Sequence, residues 1–123
     1  MPSPKRKLGD AGEEIALRYL KKQGYRILSR NYQKPWGEID IVAQLKNTIV
    51  FVEVKSREKS RTVAPEANMT FFKQKRLIRA AQTYLLEKKI SSETPWQIDV
   101  VAVDLDIKTR RANLRHLPNA VWA

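Results

Sequence analysis

A chain of 123 residues is long enough to bury one core and too short for two independent ones, and 42% hydrophobic residues lift it clear of disordered compositions despite 30% charged residues. Twenty-four Lys and Arg against 13 Asp and Glu give a formal net charge of +11, a field that attracts polyanions and weakens with salt, so nucleic acid is the leading partner class. The absence of cysteine excludes disulfide frameworks, thiolate zinc sites and cysteine nucleophiles.

A single domain over residues 1–123 is expected, with 1–8 as a flexible basic tail. Ile15, Ala16, Tyr19 and Leu20 then recur at three-and-four spacing up to Gly24, which predicts an amphipathic helix over 9–23. Asp10, Glu13 and Glu14 fall in its first turn, where the helix dipole favours carboxylates. Residues 25–32 read as a strand and Lys34-Pro35-Trp36-Gly37 as the turn out of it. Strands over 38–45 and 48–56 follow, joined by a tight turn at Lys46-Asn47, and the polar stretch 57–68 reads as a loop. Over 70–89, Phe71, Gln74, Leu77, Ile78, Ala81, Tyr84 and Leu85 stripe one side of a helix, Gln74 being the polar exception; Lys75, Arg76 and Arg79 lie on another side and Lys73 at the border. Strands over 96–103 and 112–117 close the chain as a hairpin. Helix, three strands, helix, two strands predicts an α/β fold, a central mixed β-sheet flanked by helices. No apolar run approaches the roughly 18 residues of a membrane span and the basic start lacks a signal-peptide core, so a soluble cytoplasmic protein with no membrane partner is expected.

The hairpin carries the chemistry. Side chains alternate along a strand, so Glu53 and Lys55 share a face with Ile49 and Phe51, while Val50, Val52 and Val54 point the other way. In the preceding strand Glu38 and Asp40 share one face and Ile39, Ile41 and Ala43 the opposite one. A two-residue loop pairs Leu45 with Thr48 and sets Asp40 opposite Glu53 and Glu38 opposite Lys55; a four-residue loop keeps these pairs and a one-residue slip scatters them. Two carboxylates directly opposite, with β-carbons about 4.5–5.5 Å apart, repel one another and call for a cation. Mg²⁺, with Mn²⁺ as the alternative, takes carboxylate, carbonyl and water oxygens, so Asp40 and Glu53 are candidate ligands and the Val54 carbonyl a third. Lys55, one pleat away, is placed to orient a water or neutralise charge, and the chemistry that follows is metal-assisted hydrolysis. The same pattern also suits a solvated sheet face with Glu38 and Lys55 as a surface ion pair. Ile49, Phe51 and Val42 on that face argue that it is partly covered.

Asp40, twelve intervening residues, then Glu53-x-Lys55 resembles the PD-(D/E)xK nuclease motif, whose superfamily includes restriction endonucleases and archaeal Holliday-junction resolvases. Gly9, Gly12-Glu13, Ala16, Tyr19-Leu20, Gly24-Tyr25, Asn31-Tyr32, GEIDIVA, VFVEVKSR, Lys73-Gln74, Ala80-Ala81, Tyr84-Leu85 and Asp99-Val100 are similar to the bacterial YraN-like family over nearly the whole chain. The resemblance implies a restriction-endonuclease-like core with Asp40 and Glu53 on the metal, Lys55 assisting attack, and Glu13 on the first helix completing the acidic site, with Glu14 its rival. It also places Gln74 near that site, where a satisfied core amide is the competing account. Gln97 stands where the family usually has Arg, and Ala64 where it has a loop Gly, which touches substrate contacts more than the acidic cluster.

Trp36 is a candidate for stacking on an unpaired base, although aromatics mostly pack. Arg57, Lys59, Arg61, Lys73 and Arg76 are candidates for phosphate contact, although such runs also make solvated faces. His116 has no second His or Cys to build a zinc site, and Ser60 and Thr62 have no neighbouring base to make a nucleophile. The expected function is therefore a metal-dependent endonuclease acting on DNA, branched or distorted DNA being one candidate substrate, with a homodimer required for two symmetric cuts. The alternatives are a non-catalytic nucleic-acid-binding module that keeps the fold and an interaction protein for an acidic partner.

Overall fold

The computed structural model describes residues 3–59 and 69–122. The element order is α1 (Pro4–Lys22), β1 (Arg26–Lys34), β2 (Gly37–Leu45), β3 (Thr48–Glu58), α2 (Phe71–Glu87), β4 (Trp96–Asp106) and β5 (Arg111–Val121). The strands form one sheet in sequence order, with β3 and β4 parallel and every other neighbouring pair antiparallel. This is the expected mixed α/β sheet, and α2 supplies the crossover that a parallel pair requires.

α1 opens at Pro4 rather than at Gly9, because Ser3 accepts the Arg6 N–H at 3.1 Å and proline suits the first helical turn. Residues 4–8 are thus helix and not tail. The change has a chemical consequence: no acidic residue lies in the first turn, so the dipole no longer accounts for Asp10, Glu13 and Glu14.

Each face of the sheet carries its own core. Ala16, Leu17 and Leu20 of α1 bury Ile41, Ala43, Val50, Val52, Val101 and Val103. Leu77, Ala80, Ala81 and Tyr84 of α2 bury Ile39, Val42, Ile49, Phe51, Ile98 and Val121. Phe71, expected in that stripe, is instead 66% exposed. The chain has no helix long and apolar enough to cross a membrane among the described residues.

α1 approaches the sheet closely at Gly12, where an added Cβ would lie 1.7 Å from Ser56 Oγ and 2.9 Å from Ser56 Cβ. Alanine at a helical glycine ordinarily gains up to about 1 kcal/mol, whereas overpacking of this kind costs typically 1–3 kcal/mol. Gly12→Ala is therefore expected to lower the urea midpoint, and Ser56→Gly in the same chain to recover most of the loss.

A second polar feature lies under α1. Asp99 is fully buried and accepts from His116 Nε2 at 2.7 Å, the Asn119 N–H at 2.8 Å and Gln97 Nε2 at 2.8 Å. His116 Nδ1 in turn meets the Tyr19 hydroxyl of α1 at 2.9 Å.

Candidate catalytic site

The β2–β3 ladder pairs Leu45 with Thr48, in the expected register, and runs through Ile41 opposite Val52. There it stops. Val54 donates its N–H to Asp40 Oδ2 at 2.7 Å, so a side chain takes over where the two backbones part. The expected pairs Asp40 with Glu53 and Glu38 with Lys55 are consequently not continued as ladder pairs, but the Asp40 carboxyl still bears directly on that of Glu53. Strict alternation also breaks here, since Ile39 packs in the α2 core and Ile41 in the α1 core, although both were expected on one face. The pairs Tyr32–Ile39 and Arg30–Ile41 bracket Asn31, whose φ of 52° is left-handed, so β1 and β2 change phase together at Asn31 and Asp40.

Gly12 seats α1 against β3, and the next residue, Glu13, comes within electrostatic reach of Asp40. Its Oε1 is buried without a hydrogen-bond partner among the described residues, and burial, then the Asp40 charge, pushes its carboxyl up to about 7. Burial, followed by the neighbouring Asp40 carboxyl, pushes the Glu53 carboxyl far above its ordinary range, and the Lys55 ammonium opposes this. Glu14 is committed elsewhere, at 2.8 Å from Arg30, which leaves Glu13 as the helix carboxylate facing the cluster. Glu38 is exposed and accepts from Gln33 at 3.3 Å; its charge still bears on both Glu13 and Glu53. A chain of net charge +11 thus sets Glu13, Glu38, Asp40 and Glu53 within electrostatic reach of one another, with Lys55 bearing on Glu53 and Arg30 on Glu13.

Hard oxygen donors held together against their mutual repulsion fit a small divalent cation. Among the described residues no three His, Cys, Asp or Glu side chains are gathered closely enough to hold an ion alone. The candidate donors are the Asp40 and Glu53 carboxyl groups, and Mg²⁺ is an ion that takes one or two carboxylates and completes its shell with water and phosphate oxygens. Val54, expected to lend its carbonyl, donates its N–H to Asp40 and so orients that carboxylate; its carbonyl is a separate group that this bond leaves unengaged.

The remaining expected residues divide. Gln74 donates to the Met69 carbonyl at 3.1 Å at the start of α2, and no hydrogen bond ties it to the carboxyl cluster among the described residues. Arg57 is engaged with Asp104, at 2.7 Å through Nε, so it serves β3–β4 cohesion rather than standing open to phosphate. Lys59, Lys73 and Arg76 are exposed, as phosphate contacts require. Arg61 and Ala64 lie outside the described residues. Trp36 has one ring face covered by the Arg79 guanidinium, 4.1 Å from its centroid, so that face is not open to a base. Arg79, not singled out for this from the sequence, and Arg30, which removes Glu14 from the site, both act across elements that only the fold brings together.

Asp104 also receives Arg115 at 2.6 Å, and the Arg57 hydrogen bond, then that of Arg115, hold its carboxyl below the usual range against the cost of burial. A depressed carboxyl contributes stability above its unfolded value, about 3.9, and loses it as pH falls through the folded value. Urea midpoints measured from pH 6 to pH 3 are expected to fall less steeply in Asp104→Asn than in the wild type.

Residues 12–103 match the profile of the uncharacterised protein family UPF0102. The chain belongs to that family. UPF0102 proteins of Roseiflexus castenholzii, Alkaliphilus oremlandii and Caldicellulosiruptor saccharolyticus are 37%, 39% and 40% identical over 121, 115 and 116 residues. These matches cover 98%, 94% and 94% of this chain and 98%, 97% and 98% of the relatives, so the family likeness extends over whole chains. The family match begins at Gly12, the residue that seats Glu13, and contains Asp40, Glu53 and Lys55.

Proposed function

We propose that this UPF0102 protein is a divalent-cation-dependent endonuclease that hydrolyses phosphodiester bonds in DNA, with branched DNA among its substrates. The single observation that supports it most is the Asp40–Glu53 carboxyl pair, held at the point where β2 and β3 part, in a strongly basic chain. Asp40 and Glu53 would hold Mg²⁺ or Mn²⁺, which when bound activates water and stabilises charge on phosphorus. The protein's own groups do the rest. The Val54 N–H fixes the Asp40 carboxylate; Lys55 neutralises charge that builds on the phosphate oxygens. Glu13, whose carboxyl lies near neutrality, is suited to accept a proton from the attacking water through its unpartnered Oε1. Water adds to phosphorus as the ester oxygen leaves, giving a phosphate monoester and a hydroxyl end.

The lack of a three-carboxylate ion cage among the described residues favours one second reading, a nucleic-acid-binding module that keeps the fold. Pure protein incubated with branched, single-stranded and linear DNA, with Mg²⁺, Mn²⁺ or chelator, separates the two. Cleavage that needs the metal and stops with chelator is the expected result. Salt-sensitive binding without cleavage in any metal would establish the module instead, and indifference to DNA at low salt would remove both.

A further inference from the structure

Beside the carboxyl cluster the β1–β2 turn and the outer face of α2 enclose an open groove of about 720 Å³. Its two walls meet at Gly37, where an added Cβ would come within 3.3 Å of both the Cβ and the carbonyl oxygen of Arg76. Four cations line it, Lys34, Lys75, Arg76 and Arg79, against a single acid, Glu38. Lys34 is paired with Glu87 at 2.6 Å and Arg79 lies over Trp36, but Lys75 and Arg76 form no ion pair among the described residues.

The groove also holds an aromatic side chain that lies outside both cores, edge-on to the exposed Phe71 ring at 6.2 Å between centroids. Phe72, in the first turn of α2, is 76% exposed while lining a concave, cationic surface. In the opposite wall the Trp36 Nε1–H is buried and has no acceptor among the described residues. A duplex offers a protein its phosphates but keeps its base faces inside the stack. Only an unpaired strand offers phosphates to Lys75 and Arg76 and a bare π-face to Phe72 at once. Glu38, which lines the groove, bears electrostatically on both Glu53 and Glu13, so a strand lying in the groove comes beside the carboxyl cluster.

We infer that this groove is a binding site for the unpaired strand of a nucleic acid, with one base stacked on Phe72 and the adjoining phosphates on Lys75 and Arg76. The site rests on the nuclease reading only for its purpose, which is to make a single-stranded arm or gap beside a junction the substrate. The binding itself is independent of cleavage.

The test is fluorescence anisotropy of labelled single-stranded and blunt duplex oligonucleotides of one length, in chelator, with the full chain. Wild type is expected to prefer the single strand. Phe72→Ala is expected to weaken single-strand binding by on the order of tenfold and duplex binding by less than about twofold. Arg76→Glu is expected to weaken both and to flatten the salt dependence. Both side chains are exposed, so unchanged thermal melting confirms that folding is intact. Equal affinity for the two forms, or single-strand affinity indifferent to Phe72→Ala, overturns the inference. Because the chelator removes cleavage, a groove that binds in a protein that never cuts leaves this inference standing and defeats the nuclease reading alone.

Discussion

Asp40→Asn is expected to reduce metal-dependent cleavage by on the order of 10²–10³-fold or more while leaving the melting temperature unchanged or raised. A bound ion supplies several kcal/mol of transition-state stabilisation, and each 1.36 kcal/mol is tenfold in rate, which sets that scale. Asparagine keeps an oxygen to accept the Val54 N–H, so the hydrogen bond at 2.7 Å that closes the strand fork survives. What disappears is one of the two carboxyl groups that repel each other there, and with it much of the force that raises the Glu53 carboxyl. A pair placed for function stabilises the fold when it is broken; a pair placed for structure does the reverse. Cleavage of a branched substrate and a thermal melt on the same preparation decide the matter. Full activity with a lowered melting temperature would sink the catalytic assignment. Glu53→Gln is expected to behave in the same way and Lys55→Met to lose activity alone.

The fold was legible because each element announces itself locally. Ile15 to Leu20 and Leu77 to Tyr84 carry the helical period, and Lys46-Asn47 sets a hairpin whose register follows from one pair, Leu45 with Thr48. Counting from that register also brings Asp40 towards Glu53, although not as the ladder pair it implies. What the pattern cannot carry is a change of phase. Extending the ladder past Ile41 assumes that β2 and β3 stay together, but they separate and Asp40 replaces a backbone partner, while Asn31 turns left-handed opposite it. The position of Glu13 depends on how closely a helix approaches a strand, a matter of one absent Cβ at Gly12. The start of α1 was missed for a simpler reason: Ser3-Pro4 is a capping signal, and the basic run after it looked like a tail. The groove was not legible, because its cations come from β1 and α2, more than thirty residues apart in sequence, and meet only across Gly37.

The largest effect on stability is expected at Asp99 rather than at the carboxyl cluster. β5 carries two more residues than β4 between the pairs Ile98–Val121 and Val100–Leu117, so it bows outward around Pro118, Asn119 and Ala120. Proline is tolerated there because β5 is an edge strand, and Asn119 takes a left-handed φ of 50°. The bow leaves the Asn119 N–H without a ladder acceptor, and Asp99 supplies one. An ionised carboxylate only accepts, so His116 Nε2 carries the proton toward Asp99, and with a neutral ring the Tyr19 hydroxyl donates to Nδ1. One buried carboxylate therefore joins β4, the irregular part of β5 and α1. Asp99→Ala leaves three donors without their acceptor, and a buried donor left unpaired costs about 1–3 kcal/mol against a total stability of about 5–15 kcal/mol. Urea unfolding followed by circular dichroism is expected to show that loss, with Asp99→Asn losing less because its amide oxygen still serves Asn119. If Asp99→Ala unfolds at a midpoint close to the wild type, the bridge between α1 and the sheet edge is not what holds β5 in place, and Pro118 to Ala120 must be held by the backbone alone.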